Sequence, residues 1–396
     1  MIHAGRHDRR DFKESVLRVL LTALLASLTA VSPAAAQEFE TPADYAAILD
    51  SETGTVLFCK NCNEPMAPAS MSKIMTIELV FERLASGDLA PDEQFTITEN
   101  AWRKGGAASG SSTMFLAPNS QASVIDLVHG VIIQSGNDAS IALAEGLEGS
   151  EEAFADVMTK RAHELGLDSA TFRNATGWPD PEHEISALDL AKLANHQITT
   201  YPDLYKIYAD REFTYNDVRQ FNRNPLLSSF DGADGLKTGH TQASGYGLVG
   251  SAVRDGERRV IVFNGLDSES ARAQEAERMM RAAFVDFKIF DLYEAGEEVG
   301  QGEVFMGQAD SVTLKTAEPV AMGMHRRARD QMKAYITYDG AIRAPVAEGD
   351  EVARLVIEAP DAAPRSYPLV AVHAVEQKGL FGRAMTGLVS LIRGDE

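Results

Sequence analysis

The chain has 396 residues, of which 44% are hydrophobic and 24% charged, so it is long enough for two domains and is neither collagen-like nor wholly disordered. Acidic residues outnumber basic ones by 58 to 37, and the net charge of −21 at pH 7 argues against nucleic acid as a partner. The two cysteines, Cys59 and Cys62, are too few for several disulfides or for a complete cysteine-based zinc site. The residues point to no metal and to no other cofactor.

The first 36 residues have the order of a secretory signal peptide. A basic stretch precedes an apolar run at residues 16–31, and the small-residue triplet Ala34-Ala35-Ala36 then offers a cleavage site. The alternative is an uncleaved membrane anchor, but Arg18 interrupts a run that is already shorter than the roughly 20 apolar residues needed to cross a bilayer. We predict a signal peptide at residues 1–36 and an exported protein.

The next part of the chain combines a hairpin with several helices. Residues 46–50 and 55–60 flank Ser51-Glu-Thr-Gly54, which is the pattern of a β-hairpin with a glycine-containing turn. Apolar residues then recur at helical spacing, with Ser123 and Ser186 as caps, at residues 71–84, 123–133, 138–147, 151–165 and 187–195.

Near Lys237 the apolar spacing changes to the alternation of strands. Residues 236–242, 245–254 and 258–266 predict three strands, and residues 270–290 predict a long helix. A hairpin, a helical middle, three strands and a helix indicate an α+β fold in which distant segments share one sheet. Short Val-, Thr- and Ile-rich runs between residues 300 and 375 predict a separate small β domain.

The end of the chain carries an apolar stripe at helical spacing. Its members are Leu380, Phe381, Ala384, Met385, Leu388 and Ile392. About 14 residues are too few to span a bilayer, but they suit a membrane interface with anionic headgroups. The residues are equally compatible with a terminal helix that packs on its own protein, and the glycines among them weaken the helix in either case.

Three short motifs carry the chemistry of the chain. The first, Ser70-Met-Ser-Lys73, is predicted at the start of a helix, where residues three apart share a face and the N-terminus favours negative charge on Ser70. A serine becomes a good nucleophile when a base takes its proton, and a lysine with a lowered pKa can be that base. Taken alone, the pattern also fits a capping serine with a solvated lysine.

The other two motifs are predicted in a loop between helices and on a strand. Ser135-Gly-Asn137 is either a capped turn or a proton-transferring hydroxyl beside an amide that holds a substrate peptide bond. Lys237-Thr238-Gly239 is either an exposed edge strand or a cation and a hydroxyl for a carboxylate, with a glycine that lets substrate backbone lie against the strand. The second motif begins 65 residues after the first, and the third begins 102 residues after the second.

Together the three motifs resemble the Ser-x-x-Lys, Ser-Asp-Asn and Lys-Thr-Gly signature of class A β-lactamases and penicillin-binding proteins. Their spacings and predicted contexts resemble the low-molecular-mass penicillin-binding proteins that are D-alanyl-D-alanine carboxypeptidases. Further stretches that resemble this family are residues 68–76, 105–112, 134–139, 174–177, 183–189, 222–227 and 234–241. The resemblance covers roughly residues 40 to 290, and the β domain and the amphipathic tail match the family's plan.

The resemblance implies a penicillin-binding/β-lactamase-like transpeptidase domain with an antiparallel sheet and an all-helical subdomain. A small β-sandwich domain and a C-terminal amphipathic helix follow it. We accordingly expect the peptidase domain at residues 37–295, the β domain at residues 298–375 and a membrane-associating tail at residues 376–396. The resemblance also implies a periplasmic location, with the tail attached peripherally to the outer face of the cytoplasmic membrane.

The activity implied by the resemblance is a two-step acyl transfer that removes the terminal D-alanine from peptidoglycan stem pentapeptides. Ser70 is expected to attack, Lys73 to act as base, and Ser135 to pass the proton to the departing D-alanine. Backbone N–H groups of Ser70 and His240 are expected to form the oxyanion hole. The substrate-binding residues implied are Asn137, Lys237, Thr238, Gly239, His240 and Arg223. β-Lactam antibiotics are the expected covalent inhibitors.

Some residues lie outside the resemblance or are only loosely tied to it. The Cys59-x-x-Cys62 pair is not a feature of the family, and a local disulfide and a redox site both remain open. Pro225 follows Asn-Arg-Asn where a less constrained residue is expected, which bears on the role of Arg223. Supporting residues near the site are expected at His183 and Asp189.

Two other functions remain open from the sequence. Class A β-lactamases carry the pattern Glu-x-x-Leu-Asn in the loop that activates the deacylating water. This chain lacks that pattern, although Glu182 and Glu184 lie in the corresponding region. The other alternative is a non-catalytic, membrane-tethered peptidoglycan-binding or scaffold protein. Such a protein would not need both Ser70 and Lys73.

Overall fold

The computed structural model describes residues 39–380 apart from Asp339 and Asp361. The signal peptide predicted at residues 1–36 and the predicted tail from residue 381 onward lie outside the described residues. Across the described part of the chain, no helix has both the length and the apolar character needed to cross a membrane.

The order of helices and strands is that of an α+β protein, as the sequence predicts. Strands up to residue 266 are β1 (Tyr45–Asp50), β2 (Val56–Lys60), β3 (Pro65–Met66), β4 (Gln94–Thr96), β5 (Gln121–Ser123), β6 (Ile185–Ser186), β7 (Glu212–Tyr215), β8 (Val218–Phe221), β9 (Ala233–Thr241), β10 (Gly245–Arg254) and β11 (Glu257–Leu266). Helices are α1 (Lys73–Ser86), α2 (Glu99–Gly105), α3 (Val124–Ile133), α4 (Asn137–Glu148), α5 (Glu151–Glu164), α6 (Ala187–Thr200), α7 (Pro202–Tyr205), α8 (Leu226–Ser229) and α9 (Glu269–Val285). A 3₁₀ turn, Ala69–Ser72, leads directly into α1.

A five-stranded antiparallel sheet forms the centre of the N-terminal part, with the strand order β2-β1-β11-β10-β9. Because side chains alternate across a strand, β11 supplies two cores: Val260 and Val262 pack with α1 and α6, whereas Ile261 and Phe263 pack with α9. The predicted hairpin and the three predicted strands are therefore confirmed. The order also leaves β9, which carries Lys237-Thr238-Gly239, at an edge of the sheet.

The helical middle begins where the capping residues predict. Ser123 Oγ accepts a hydrogen bond from the N–H of Asp126 at the start of α3, and Ser186 Oγ accepts one from the N–H of Asp189 at the start of α6. Helices α1, α3, α4 and α6 share one continuous apolar core with the sheet. That core fixes the ends of α1 and α4, where the first two motifs lie.

The helix predicted at residues 270–290 is wrong over its last residues, because it ends at Val285. Residues 287–293 form strand β12 (Phe287–Tyr293) instead, which pairs antiparallel with β15 (Val320–His325). Phe287 packs against Phe39 and Phe58, with ring centroids 5.4 and 5.9 Å apart. Pairing and aromatic packing over a long sequence separation override the local helical pattern here.

The C-terminal part is an all-β region with its own core. Its further strands are β13 (Glu298–Phe305), β14 (Ser311–Thr316), β16 (Lys333–Thr337), β17 (Ile342–Arg343), β18 (Glu351–Ala359) and β19 (Ala362–Ala371), in the sheet order β16-β18-β19-β14-β13-β17. The chain stays bound to this region beyond residue 375. The carbonyl of Glu376 accepts from the N–H of Gln308 at 2.7 Å, and the N–H of Lys378 donates to Met306 at 2.8 Å.

Candidate active site

Ser70 and Lys73 come together at the start of α1. Ser70 lies in the 3₁₀ turn, and Lys73 Nζ donates a hydrogen bond to Ser70 Oγ at 3.0 Å. Ala69 has a φ of +48°, in the left-handed region that residues with a side chain rarely adopt. Strained backbone of this kind persists where its surroundings over-determine it, which is typical of functional sites.

The ammonium group of Lys73 is buried away from solvent. Burial and the nearby positive charge of Arg223 lower the pKa of Lys73 to about 7, although the carboxylates of Glu151 and Asp138 oppose the shift. Lys73 also donates to the backbone carbonyl of Thr176. A lysine with a pKa near 7 is neutral in a large fraction of molecules at neutral pH, so it can accept a proton from Ser70.

The turn that holds Thr176 is fixed from both sides. Asn174 Oδ1 accepts from the N–H groups of Thr176, Gly177 and Trp178, at 3.2, 2.7 and 3.0 Å. Gly177 has a φ of +78°, and a Cβ there would lie 2.0 Å from the carbonyl oxygen of Ala69. The sequence marks residues 174–177 only by resemblance, and nothing in it reveals the contact of Thr176 with Lys73.

Ser135 lies in the break between α3 and α4, as the sequence predicts, and Asn137 is the first residue of α4. Ser135 has a φ of +62°, and its buried Oγ has no hydrogen-bond partner among the described residues. Asn137 Nδ2 donates to Ser111 Oγ at 3.0 Å, which leaves Asn137 Oδ1 without a partner in the described chain. Buried polar atoms normally have partners, so these two atoms indicate a place for a ligand.

Asp138 connects residues 113–116 to the second motif through hydrogen bonds. Its carboxylate accepts from Thr113 Oγ1 at 2.6 Å and from the N–H groups of Met114 and Leu116 at 2.9 and 3.1 Å. These bonds attach residues 113–116 to the first turn of α4. Asp138 is not among the residues predicted for the site, although its position directly after Asn137 is a signal that points to a role.

Strand β9 presents the third motif at the edge of the sheet. Lys237 is buried, and its pKa lies well below the usual value because of burial and the charges of Lys73, Arg223 and Arg272. Lys237 Nζ donates to the carbonyl of Thr238 at 3.1 Å. A Cβ on Gly239 would lie 2.8 Å from the carbonyl oxygen of Pro68, so glycine here lets β9 approach the 3₁₀ turn.

Arg223 reaches the site from the loop after β8. Its guanidinium donates to Ser112 Oγ at 2.7 Å, and Asn224 Nδ2 donates to the carbonyl of Gly235 at 2.7 Å, which ties the loop to β9. Pro225 has a φ of −65°, the value that proline favours, and it caps α8 without disturbing this arrangement. The proline therefore does not move Arg223 away from the two lysines.

His240 and Arg272 both contact the ring of Tyr246, which pairs with His240 across β9 and β10. The ring of His240 stacks on Tyr246 with centroids 3.8 Å apart, and Arg272 lies over the Tyr246 ring at 5.6 Å. Arg272 is buried, and its Nε has no partner among the described residues. Arg272 gives no signal in the sequence, because one arginine within a helix forms no motif.

The two supporting residues differ in their placement. His183 is buried, and its Nδ1 accepts a hydrogen bond from the N–H of Arg173 at 3.1 Å. Burial lowers the pKa of His183, and the nearby charge of Lys73 adds to that effect. Asp189 instead accepts from Ser169 Oγ at 2.6 Å and from Lys192 Nζ at 2.9 Å. Asp189 therefore stabilises the start of α6, and neither of these two partners belongs to the three motifs.

Cys59 and Cys62 form a local disulfide, with their Cα atoms 5.1 Å apart. The carbonyl of Cys62 accepts from the N–H of Leu188 at 2.9 Å. Residue Cys62 is buried, and the short strand β3 follows it on the way to Ser70. The disulfide thus fastens the segment that leads from β2 to the nucleophile turn.

Comparison with known proteins gives consistent similarities. A family model described as D-alanyl-D-alanine carboxypeptidase, peptidase S11, matches residues 30–267, and one for the C-terminal domain of penicillin-binding protein 5 matches residues 287–377. The D-alanyl-D-alanine carboxypeptidase DacA of Haemophilus influenzae is 34% identical over 350 residues, covering 88% of each chain.

Solved structures agree with this. The D-alanyl-D-alanine carboxypeptidase DacD of Francisella tularensis has a TM-score of 0.71 and 32% identity, covering 86% of this chain and 95% of that one. Penicillin-binding protein D2 of Listeria monocytogenes, solved with cefotaxime and with ampicillin, has a TM-score of 0.54 and covers 62% of this chain and 98% of its own. Its identity is 27% in the cefotaxime form and 28% in the ampicillin form.

Proposed function

The chain belongs to the peptidase S11 family of D-alanyl-D-alanine carboxypeptidases, and from that premise we propose how its own residues carry out the reaction. It is a serine-type DD-carboxypeptidase that removes the terminal D-alanine from peptidoglycan stem pentapeptides. The hydrogen bond between Lys73 Nζ and Ser70 Oγ carries the proposal, because it joins a buried amine of lowered pKa to a hydroxyl on a strained turn.

In the acylation step, Ser70 Oγ attacks the carbonyl carbon of the penultimate D-alanine. Neutral Lys73 takes the hydroxyl proton as the new C–O bond forms. Backbone N–H groups of Ser70 and His240 stabilise the oxyanion, and each such donor contributes roughly 3 kcal/mol in the transition state. The carbonyl of Thr176 supports this role, because its bond to Lys73 aims the amine at Ser70.

The leaving D-alanine receives its proton through Ser135. The unpartnered Oγ of Ser135 supports this role, because it is free to donate to the departing nitrogen. Lys237 lies beside that path, near enough to Lys73 for the charge of Lys73 to help lower the pKa of Lys237. Asn137, whose Oδ1 is also free of partners in the described chain, holds the substrate's peptide bond.

Substrate lies along the open edge of β9 as an added strand. Gly239 leaves room for the 3₁₀ turn to lie against β9 without a side chain between them. Lys237, Thr238 and Arg223 receive the free carboxylate of the terminal D-alanine. An extended peptide gains backbone hydrogen bonds from such an edge, and the cations then select a free C-terminus.

Water completes the cycle by hydrolysing the ester on Ser70. A β-lactam would acylate the same serine, and its adduct would be hydrolysed slowly. The Listeria relative's cefotaxime-bound and ampicillin-bound forms support β-lactam binding. The family assignment favours this reaction over the β-lactamase and scaffold alternatives.

An assay of two activities tests the proposal. Purified protein and a Ser70→Ala control are incubated with a pentapeptide that ends in D-Ala-D-Ala and, separately, with a labelled penicillin. Release of D-alanine together with a long-lived adduct on the wild type supports the carboxypeptidase. Rapid penicillin turnover without D-alanine release would support a β-lactamase, and inactivity of the folded protein in both assays would support a scaffold.

We also propose that the protein is exported to the periplasm and attached to the outer face of the cytoplasmic membrane. The signal-like order of residues 1–36 and the apolar stripe that begins at Leu380 support this. Deleting residues 381–396 and fractionating cells tests the attachment. The truncated protein should move to the soluble fraction, and pelleting with membranes would contradict the proposal.

A further inference from the structure

A cavity of about 450 Å³ opens beside the nucleophile turn and takes no part in the steps described above. Residues 65–69 form one wall, residues 177–181 with His183 and Glu184 form the second, and Thr241 and Ala243 close it at the end of β9. Trp178 and the prolines at 179 and 181 give the second wall a largely apolar surface. The cavity therefore adjoins both the serine and the substrate-binding edge.

The direction of the substrate places the cavity on its acyl side, a step that rests on the proposed function. The terminal carboxylate lies at Lys237 and Thr238, and the acyl carbonyl lies at the N–H of His240. Continuing in the same direction along β9, the peptide next meets Thr241 and Ala243. Because a strand advances by about 3.3 Å per residue, the residue that precedes the penultimate D-alanine lies at the mouth of this acyl-side cavity.

The charged residues that line the acyl-side cavity are both acidic. They are Asp180 and Glu184, and no lysine or arginine is among the described residues that line it. Lys104 lies next to one wall, with Nζ 5.4 Å from the centre of the Trp178 ring, but it forms an ion pair with Glu151. Neither carboxylate forms an ion pair with a described cation, whereas Glu182 between them pairs with Arg173 at 3.2 Å. Asp180 Oδ1 accepts a hydrogen bond from the N–H of Glu182 at 2.9 Å, which leaves its charge in place. Two carboxylates in the lining without a neutralising cation attract a cation.

A buried donor lines the same cavity. His183 is 3% exposed, and because its Nδ1 accepts a hydrogen bond from Arg173, its proton is on Nε2. That Nε2 has no hydrogen-bond partner within the described chain. Burial lowers the pKa of His183 to about 4, so the ring is a neutral donor at pH 7. A ligand carbonyl or carboxylate oxygen would satisfy it.

We propose that the acyl-side cavity is the subsite for the third residue of the stem peptide and that it selects a side chain ending in an ammonium group. Asp180 and Glu184 bind the ammonium group, and the walls at Trp178 and Pro181 pack along the methylene chain. His183 donates to an oxygen of the bound peptide. The protein thus discriminates between stem peptides by the charge of the third side chain.

Three pentapeptides ending in D-Ala-D-Ala test this subsite, with lysine, Nε-acetyl-lysine or norleucine at the third position. Norleucine is one atom shorter than lysine and Nε-acetyl-lysine is longer, so the two neutral side chains bracket lysine in length, and lysine alone carries a charge. We expect kcat/KM for D-alanine release to be about three- to tenfold higher with lysine than with either neutral side chain, as for partly exposed ion pairs. In the double variant Asp180→Asn/Glu184→Gln, kcat/KM with lysine should be within about twofold of kcat/KM with either neutral side chain.

Glu182→Gln is the matched control, because Glu182 lies in the same loop but pairs with Arg173 outside the lining of the cavity. It should keep the wild-type ratio. Acylation of Ser70 by labelled penicillin should be unchanged in both variants, since penicillin lacks the third side chain. Equal kcat/KM for the three peptides, or an unchanged ratio in the double variant, would overturn the subsite. Failure to release D-alanine from any peptide would instead overturn the proposed function and the subsite with it.

Discussion

Lys73 Nζ lies 3.0 Å from Ser70 Oγ, and the lysine that makes this contact is completely buried. Burial makes the charged ammonium costly, so the same contact that orients the serine also presents an amine that can be neutral. The position of Thr176 completes the arrangement, because its carbonyl gives the amine a second fixed partner.

Replacing the base tests the role of Lys73 directly. In Lys73→Arg the side chain keeps its charge but cannot lose a proton, so acylation of Ser70 should slow by about 10²- to 10⁴-fold. The second-order rate constant for labelled penicillin measures this. Lys206→Arg, at an exposed position that pairs with Asp203, is the control and should react like the wild type.

The pH dependence of acylation follows from the lowered pKa of Lys73. The amine accepts a proton only when neutral, so the rate constant should be constant above the pKa of about 7 and fall about tenfold for each pH unit below it. Arg223 helps to lower this pKa, so Arg223→Gln should move the fall to higher pH. A profile that stays flat from pH 5 to 8 would exclude Lys73 as the base.

Ser135 and Ser140 should respond to alanine substitution in opposite ways. Ser135 Oγ has no partner among the described residues, so Ser135→Ala should leave stability nearly unchanged but lower D-alanine release by about 10²-fold or more. Ser140 Oγ donates to the carbonyl of Gly136 at 2.9 Å, so its loss should cost about 1 kcal/mol of unfolding free energy. Urea unfolding and D-alanine release on both variants check this. Equal stability losses would contradict it.

Gly177 should be the costlier of two left-handed glycines to replace. Gly177→Ala adds a Cβ that would lie 2.0 Å from the carbonyl oxygen of Ala69, whereas Gly166→Ala has the same backbone cost with nothing within 4 Å. We expect a loss of roughly 1 kcal/mol at Gly166 and more than about 3 kcal/mol at Gly177 in urea unfolding. Similar losses of unfolding free energy in the two variants would mean that residue 177 is not closely packed against the carbonyl of Ala69.

The sequence predicts those parts of the site that lie within contiguous motifs. Ser70 and Lys73 are three residues apart at a helix start, and Lys237 to Gly239 alternate on one strand. Local geometry is therefore enough to predict that these residues lie together. Thr176 acts through a backbone carbonyl and carries no side-chain signal. Arg272 depends on the packing of α9 beside β10, a relationship that no local pattern contains.

The same physical limit explains the error in the fold. The apolar spacing through residue 290 is compatible with a helix, and a strand is chosen there only because β15 lies alongside in the folded chain. By contrast, the start of α3 is fixed by the hydrogen bond from the N–H of Asp126 to Ser123 Oγ. Both residues lie within one stretch of four, so the sequence predicts this cap.

The central claim is that Ser70 forms a covalent acyl intermediate with the help of Lys73. Mass spectrometry of the protein after incubation with penicillin, followed by digestion, tests it most directly. We expect one added penicillin per chain on the peptide that contains Ser70, a much slower appearance of that adduct in Lys73→Arg, and no adduct in Ser70→Ala. An adduct on another residue, or one that forms equally fast without Lys73, would contradict it.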